Sequence, residues 1–258
     1  MAAVLLTVFA LSPGFYVPET STADAAVIRA TPVPLSVKAA SVPAVQAPAT
    51  ALFAQRVPGL SPEVLRMALD RVACARSAGV SGRDDLLTVI DYTLPSTEPR
   101  LWVLDLEKGK VLYHELVAHG KGSGENYATR FSNQPNSLQT SLGLFRTSGT
   151  YDGGNGYSLK LQGLDAGVND LAEPRYIVMH GAPYVSEAMI RSQGRLGRSW
   201  GCPAVSQHMA RPVIDTIKGG SFVFSYSGKD KSWLKTASAQ QTCGGSGNGP
   251  VSASLATR

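Results

Sequence analysis

Residues Tyr176 to Ser206 read YIVMHGAPYVSEAMIRSQGRLGRSWGCPAVS, and this stretch decides the rest. Tyr176-Ile177-Val178-Met179 is short, apolar and partly β-branched, which predicts a strand. His180-Gly181 closes it. A helical segment, Pro183 to Ser192, follows, then a loose tail, then the tight turn Ser199-Trp200-Gly201-Cys202-Pro203. A thiol attacks as its thiolate, and a nearby imidazole can take the proton. A His at a strand end and a Cys in a Gly-flanked turn therefore suit a nucleophile and its base. Gly201 lets the backbone bend, so that amide N–H groups can converge on a developing oxyanion. Each residue also has a plainer reading: a lone Cys is commonly a small buried apolar residue, and a lone His is commonly a satisfied structural one.

The whole string goes further than either residue. It resembles the signature of the L,D-transpeptidases (YkuD-type catalytic domains): His-Gly, a spacer of about fifteen residues, then Ser/Thr-His-Gly-Cys. The matching positions here are His180-Gly181 and Ser199-Trp200-Gly201-Cys202. The run Gly197 to Ala204, GRSWGCPA, is similar to the murein L,D-transpeptidase catalytic domain-like branch, which also carries a His-Gly loop where His119-Gly120 stands. Trp200 replaces the His usual before Gly-Cys, Ala204 replaces the usual Arg or Asn, and the spacer is longer. The resemblance covers about Ser61 to Ser227. It implies a mainly β fold, an L,D-transpeptidase-type β-sandwich with a leading helix and short helices around the catalytic loops.

Composition fits that expectation. The chain has 258 residues with abundant Gly and Pro, favouring turns and strands over long helices. Its net charge of +5 is too small and dispersed to argue for nucleic acid, and no aromatic-basic RNA motif is present. Ala2 to Leu11 is apolar but too short to span a bilayer. With the small residues and Ala23-Asp24-Ala25 that follow, it reads as a signal peptide over 1–25, implying export to the periplasm or cell envelope. Residues 26–58 form an Ala/Pro-rich linker. The catalytic domain is expected over 59–235, and a Ser/Gly/Thr/Ala-rich disordered tail over 236–258.

Within the domain, Ser61-Pro62-Glu63 predicts a helix start, with Val64, Leu65, Ala68, Leu69, Val72 and Ala75 on one face and Gly79 ending it. Leu86–Leu94 and Leu101–Leu106 predict strands, and Val111–Ala118 the return strand of a hairpin. The loop His119–Gly124 lacks P-loop spacing, and His119 is a candidate cleft residue. His114 and His119 fall on opposite faces of a strand, which makes them poor zinc partners. Leu142–Thr147 and Tyr157–Leu161 predict short strands, with Tyr151–Gly156 a loop that could line a groove. His208–Lys218 predicts an amphipathic helix and Ser221–Tyr226 a last strand.

The resemblance implies a reaction. Cys202 attacks the third residue of a peptidoglycan stem peptide, terminal D-Ala leaves, and an amine resolves the thioester. His180 is the base, the Gly181 carbonyl orients it, and the Cys202 N–H with Gly201 forms the oxyanion hole. Arg198, Ser199, Trp200 and His119 are the expected substrate-binding residues, Arg198 also favouring the thiolate. No cofactor and no metal is expected; no H-E-x-x-H spacing occurs. An L,D-carboxypeptidase using water and a non-catalytic wall-binding module remain as alternatives. Papain-like peptidases carry Cys before His, the reverse of the order here. Three cysteines leave at least one thiol over, so Cys202 is expected free, with a Cys74–Cys243 pair compatible.

Overall fold

The computed structural model describes residues 57–233. The expected signal peptide, nearly all of the linker and the tail lie outside those residues. Helix α1 is Pro62–Ser77, with Pro at its first position and Glu63 in its first turn. Ser61 precedes it in extended conformation but makes no side-chain cap. The i, i+1, i+4 spacing of Val64, Leu65 and Ala68 buries one face against the core. Arg71 on this helix bonds Asp165, whose other carboxylate oxygen accepts the Leu144 N–H at 2.7 Å. Helix and sheet are thereby tied through one buried carboxylate.

Nine strands form a single ladder: β1 (Leu86–Asp91), β2 (Leu101–Asp105), β3 (Lys110–Glu115), β4 (Val117–Ala118), β5 (Gly143–Gly153), β6 (Gly156–Gly163), β7 (Val178–Ala182), β8 (Ala204–Ser206) and β9 (Phe222–Tyr226). Their spatial order is β3-β2-β1-β9-β5-β6-β7-β8-β4. The two edge strands, β3 and β4, are separated in the chain only by Leu116. The chain thus leaves one edge of the sheet and enters the other, so the sheet curls nearly closed. Ile90, Phe145, Leu161, Ile177 and Val223 line one small interior cavity, as a curled sheet requires. The mainly β architecture agrees with the expectation from sequence.

Three details differ from it. The expected return strand Val111–Ala118 is two strands on opposite edges. β3 pairs with β2, whereas β4 pairs antiparallel with β8. The buried Arg100 side chain takes the Val117 carbonyl through Nε at 3.1 Å and Nη2 at 2.9 Å, satisfying it away from the first ladder. The first strand stops at Asp91, short of Leu94, where Asp91 accepts the Thr93 N–H and turns the chain. Finally, Tyr151–Gly156 is not a groove loop. Tyr151, Asp152 and Gly153 pair with Ser158, Tyr157 and Gly156, making the exposed tip of the β5–β6 hairpin. Period-2 alternation fades at that tip because both faces meet water, so a run of Gly and Asn reads as a loop.

Two further helices follow the strand that carries His180 in the chain. α2 (Glu187–Gln193) is capped by Ser186, whose Oγ accepts the Met189 N–H, and ends at Gly194 in the left-handed region. α3 (Gln207–Ile217) buries Ala210, Val213, Ile214 and Ile217 at i, i+3, i+4, i+7, and packs on β7. Among the described residues no helix is long and apolar enough to cross a membrane.

Candidate active site

β7 and β8 run parallel with His180 opposite Ala204, and the His180 N–H reaches the Pro203 carbonyl at 3.4 Å. Cys202 enters this pairing just before β8. Its sulfur accepts from the Val178 N–H at 3.5 Å and lies 3.6 Å from the Tyr176 carbonyl, to which the thiol donates. The sulfur therefore rests on the strand that carries His180, two residues along it. Cys202 is the free thiol among the described residues. Cys74 is not free, and its expected partner Cys243 lies outside the described residues.

The imidazole is oriented by its neighbour. His180 Nδ1 is 3.0 Å from the Gly181 carbonyl. A carbonyl only accepts, so Nδ1 carries the proton and Nε2 presents its lone pair. Burial pushes the His180 pKa down, which keeps the ring neutral near pH 7. Burial also pushes the Cys202 thiol up, partly opposed by the Val178 N–H and the charge of Arg175. The resting pair is thus a neutral thiol and a neutral imidazole. The sequence alone points instead to a thiol lowered by its base and Arg198; desolvation of a residue only 8% exposed reverses the direction.

The turn before Cys202 is braced from inside. Ser199 Oγ donates to the Cys202 carbonyl at 2.6 Å and accepts the Gly201 N–H at 3.1 Å. Ser199 is buried, so it shapes the loop instead of facing a ligand. Because the Gly201 N–H is taken, the Cys202 N–H is left as the backbone donor of the turn beside the sulfur. Gly201 itself has φ +127°, and a Cβ there would meet the Gln139 carbonyl at 2.8 Å. Thr140 Oγ1 donates to the Gly201 carbonyl at 3.2 Å and accepts the Gly120 N–H at 2.9 Å.

The His119–Gly124 loop supports this turn from behind. Lys121 N–H donates to the Ser199 carbonyl and Ser199 N–H to the His119 carbonyl, at 2.8 and 3.0 Å. A Cβ on Gly120 would lie 2.8 Å from the Gly201 Cα, so only glycine permits so close an approach. His119 is 1% exposed and stands edge-on to Tyr92. Arg100 Nη2 donates to its Nδ1 at 2.8 Å, and its Nε2 faces the Gly124 carbonyl at 3.4 Å. Both ring nitrogens are occupied, and no face of the ring reaches a cleft. Burial and the Arg100 charge hold its pKa down at about 3.

Arg198, expected beside the sulfur, spends its guanidinium on the Gly124 carbonyl and Glu125, at 2.9 and 2.6 Å. Arg195 pairs with the same Glu125. The arginine whose charge acts on Cys202 is Arg175. It went unnoticed in the sequence because the connection is tertiary; Arg175 lies twenty-seven positions before the Cys. Trp200 is open to solvent at 74%, with Lys121 Nζ over its ring at 5.4 Å. Tyr176 was also missed as a site residue. Its side chain is 83% exposed while its carbonyl touches the sulfur, and its φ of +56° is unusual for a tyrosine. The two most exposed large aromatics among the described residues thus belong to the two segments that meet at the thiol, the one before β7 and the turn before Cys202.

No cluster of three or more His, Cys, Asp or Glu side chains able to hold a metal occurs among the described residues. The family model described as L,D-transpeptidase catalytic domain matches residues 56–226. Among curated proteins none matches. Solved structures similar to the chain include an L,D-transpeptidase from Mycobacterium smegmatis, at 17% identity and TM-score 0.34, covering 55% of this chain and 58% of that one. The L,D-transpeptidase of Xylanimonas cellulosilytica aligns at 18% identity and TM-score 0.31, covering 60% of this chain and 68% of that one. The helical cell-shape determining protein of Campylobacter jejuni aligns at 16% and TM-score 0.37, over 66% and 60%. This chain spans less than two thirds of the length of the M. smegmatis relative.

Proposed function

Because the chain belongs to the L,D-transpeptidase catalytic-domain family, we propose that it is a cysteine-dependent peptidoglycan L,D-transpeptidase acting in the cell envelope after export. The observation that carries this reading is the tautomer of His180. Nδ1 is held by the Gly181 carbonyl, which leaves Nε2 as a base on the strand against which Cys202 rests.

In the proposed reaction the thiol turns from the Tyr176 carbonyl toward His180. Nε2 takes the proton as Sγ attacks the carbonyl of the third stem residue. Proton transfer accompanies attack, since neither group is charged at rest. The Cys202 N–H stabilises the tetrahedral oxyanion. As the C–N bond to terminal D-Ala breaks, His180 returns the proton to the leaving amine, and a thioester remains. An incoming amine gives its proton to Nε2, attacks the thioester, and releases the Cys202 thiol. Trp200 and Tyr176 offer exposed faces for the donor or acceptor peptide. An amine positioned against them gains effective concentration over water.

Incubating the purified chain with a tetrapeptide muropeptide, with and without a D-amino acid, tests this by mass spectrometry. Exchange of terminal D-Ala or dimer formation, absent in Cys202→Ala, is expected. Tripeptide alone, insensitive to the added amine, would make the chain an L,D-carboxypeptidase. Sacculus binding without any product would make it a wall-binding module.

A further inference from the structure

Of the groups that act on the Cys202 sulfur, one is charged near neutral pH. From β7 the sulfur meets the Val178 N–H, with neutral His180 two residues on. Tyr184, just after β7, is pushed up to about 12 by burial, and Tyr92, just after β1, is pushed higher still. Both phenols are therefore neutral. The segment before β7 supplies the Tyr176 carbonyl and Arg175.

Arg175 is unusual among the arginines of this region. Nη1 donates to the Ser132 carbonyl at 2.7 Å and to Ser141 Oγ; Nη2 donates to Ser137 Oγ at 3.2 Å and to the Gln139 carbonyl at 2.7 Å. All four acceptors are neutral. Arg71, Arg195 and Arg198 each have a carboxylate, whereas Arg175 takes part in none of the ion pairs among the described residues. The four terminal N–H groups are committed inside the protein, so the fork is not open to grip a substrate. Its charge, however, is not cancelled. Nη2 lies 3.5 Å from where a Cβ on Gly201 would stand, directly beside the nucleophile turn.

We propose that Arg175 is a positioning residue for the reaction: it clamps the 132–141 segment under the nucleophile turn and supplies the uncompensated positive charge that favours the Cys202 thiolate. It does from the β7 side what the sequence assigns to Arg198. Burial alone would hold the thiol high, and a cation beside the nucleophile turn lowers a thiol's pKa. This rests on Cys202 being the nucleophile, but the test reads the thiol itself and needs no peptidoglycan turnover. A failed test therefore leaves the proposed function standing, and an inactive enzyme leaves the test valid.

The experiment measures the rate of iodoacetamide alkylation of Cys202 against pH in the full chain, located by peptide mapping. Arg175→Gln is expected to raise the midpoint by about one pH unit, and Arg175→Lys to stay near wild type. Arg198→Gln, whose charge is spent on Glu125, should leave the midpoint in place. Ser137→Asp provides a second route if Arg175→Gln does not fold. It keeps the arginine but sets a carboxylate at the fork, and should raise the midpoint as well. A merely structural role would change the alkylation rate at every pH without moving the midpoint. An unmoved midpoint in Arg175→Gln, or in Ser137→Asp where only that variant folds, or an equal shift in Arg198→Gln, overturns the proposal.

Discussion

The chain contains two His-Gly pairs in comparable settings, His119-Gly120 and His180-Gly181. Both imidazoles are buried, both have pKa values pushed down, and both sit at the end of a strand or within it. They differ in what touches Nδ1. At His119 it is a guanidinium, which can only donate, so Nδ1 accepts and the proton sits on Nε2, facing the Gly124 carbonyl. At His180 it is a carbonyl, which can only accept, so the tautomer is reversed and Nε2 is a base. One neighbouring group turns the same dipeptide into either a structural strut or a proton acceptor. The glycines diverge too. Gly120 lets one loop lie on the Gly201 backbone, while Gly181 contributes its carbonyl to the ring.

The largest effect should separate the two histidines by activity. Cys202→Ser and His180→Ala are each expected to lower turnover by about a thousandfold or more, with the double variant little worse than either single one. His119→Ala should retain measurable turnover per folded molecule. Steady-state rates normalised to folded protein check this, and a folded His119→Ala as inactive as His180→Ala would erase the distinction.

Stability should then order them the other way. Removing the His119 ring leaves the buried Arg100 guanidinium short of an acceptor, a loss of about 3 kcal/mol. His119→Gln, whose amide oxygen can accept in its place, should recover part of it. Urea unfolding of both variants decides the matter; a His119→Ala midpoint equal to wild type would remove the strut.

The pH dependence is smaller and has a defined sign. His119 binds its proton near pH 6.5 when unfolded but only at about 3 when folded. Between those values the unfolded state holds more protons, so stability falls as pH falls through this window. At pH 5 the cost is about 2 kcal/mol, from roughly 1.4 kcal/mol per unit. His180 adds a contribution of the same sign. Melting at pH 7 and pH 5 should show the loss in wild type and a shallower one in His119→Gln. Parallel curves would mean that His119 is not the group responsible.

The smallest effect concerns the exposed rim. Trp200→Ala should change stability by no more than about 0.5 kcal/mol, as for a surface side chain. It should raise KM for the amine acceptor a few-fold while kcat for donor hydrolysis stays unchanged. A fall in kcat for both would place the indole nearer the chemistry than its exposure suggests.

Much of this was legible in the residues themselves. Short β-branched runs and the 3.6-residue spacing of α1 and α3 report local preferences, and local preferences are written in neighbouring residues. The Ser-Trp-Gly-Cys string placed Cys202 in a turn, since a sharp turn needs its glycine at a definite position; His180, expected to close a strand after Met179, lies inside β7 instead. What failed were claims about which face of a residue meets what. His119 was expected in a cleft, Ser199 and Arg198 toward substrate, and Tyr151–Gly156 along a groove, because all are polar or Gly-rich and none carries a signal of its tertiary partner.

The division follows from the range of the forces involved. Residue order alone decided roughly where most strands fall, that Cys202 sits in a glycine turn, and that the chain would be mainly β. Closure of the sheet through Leu116, the burial that raises the Cys202 thiol, and the choice of Arg175 over Arg198 needed the tertiary structure. The thiol's pKa and the unpaired charge beside it are set by what the fold brings within a few ångströms, and those neighbours lie more than twenty residues away in the chain.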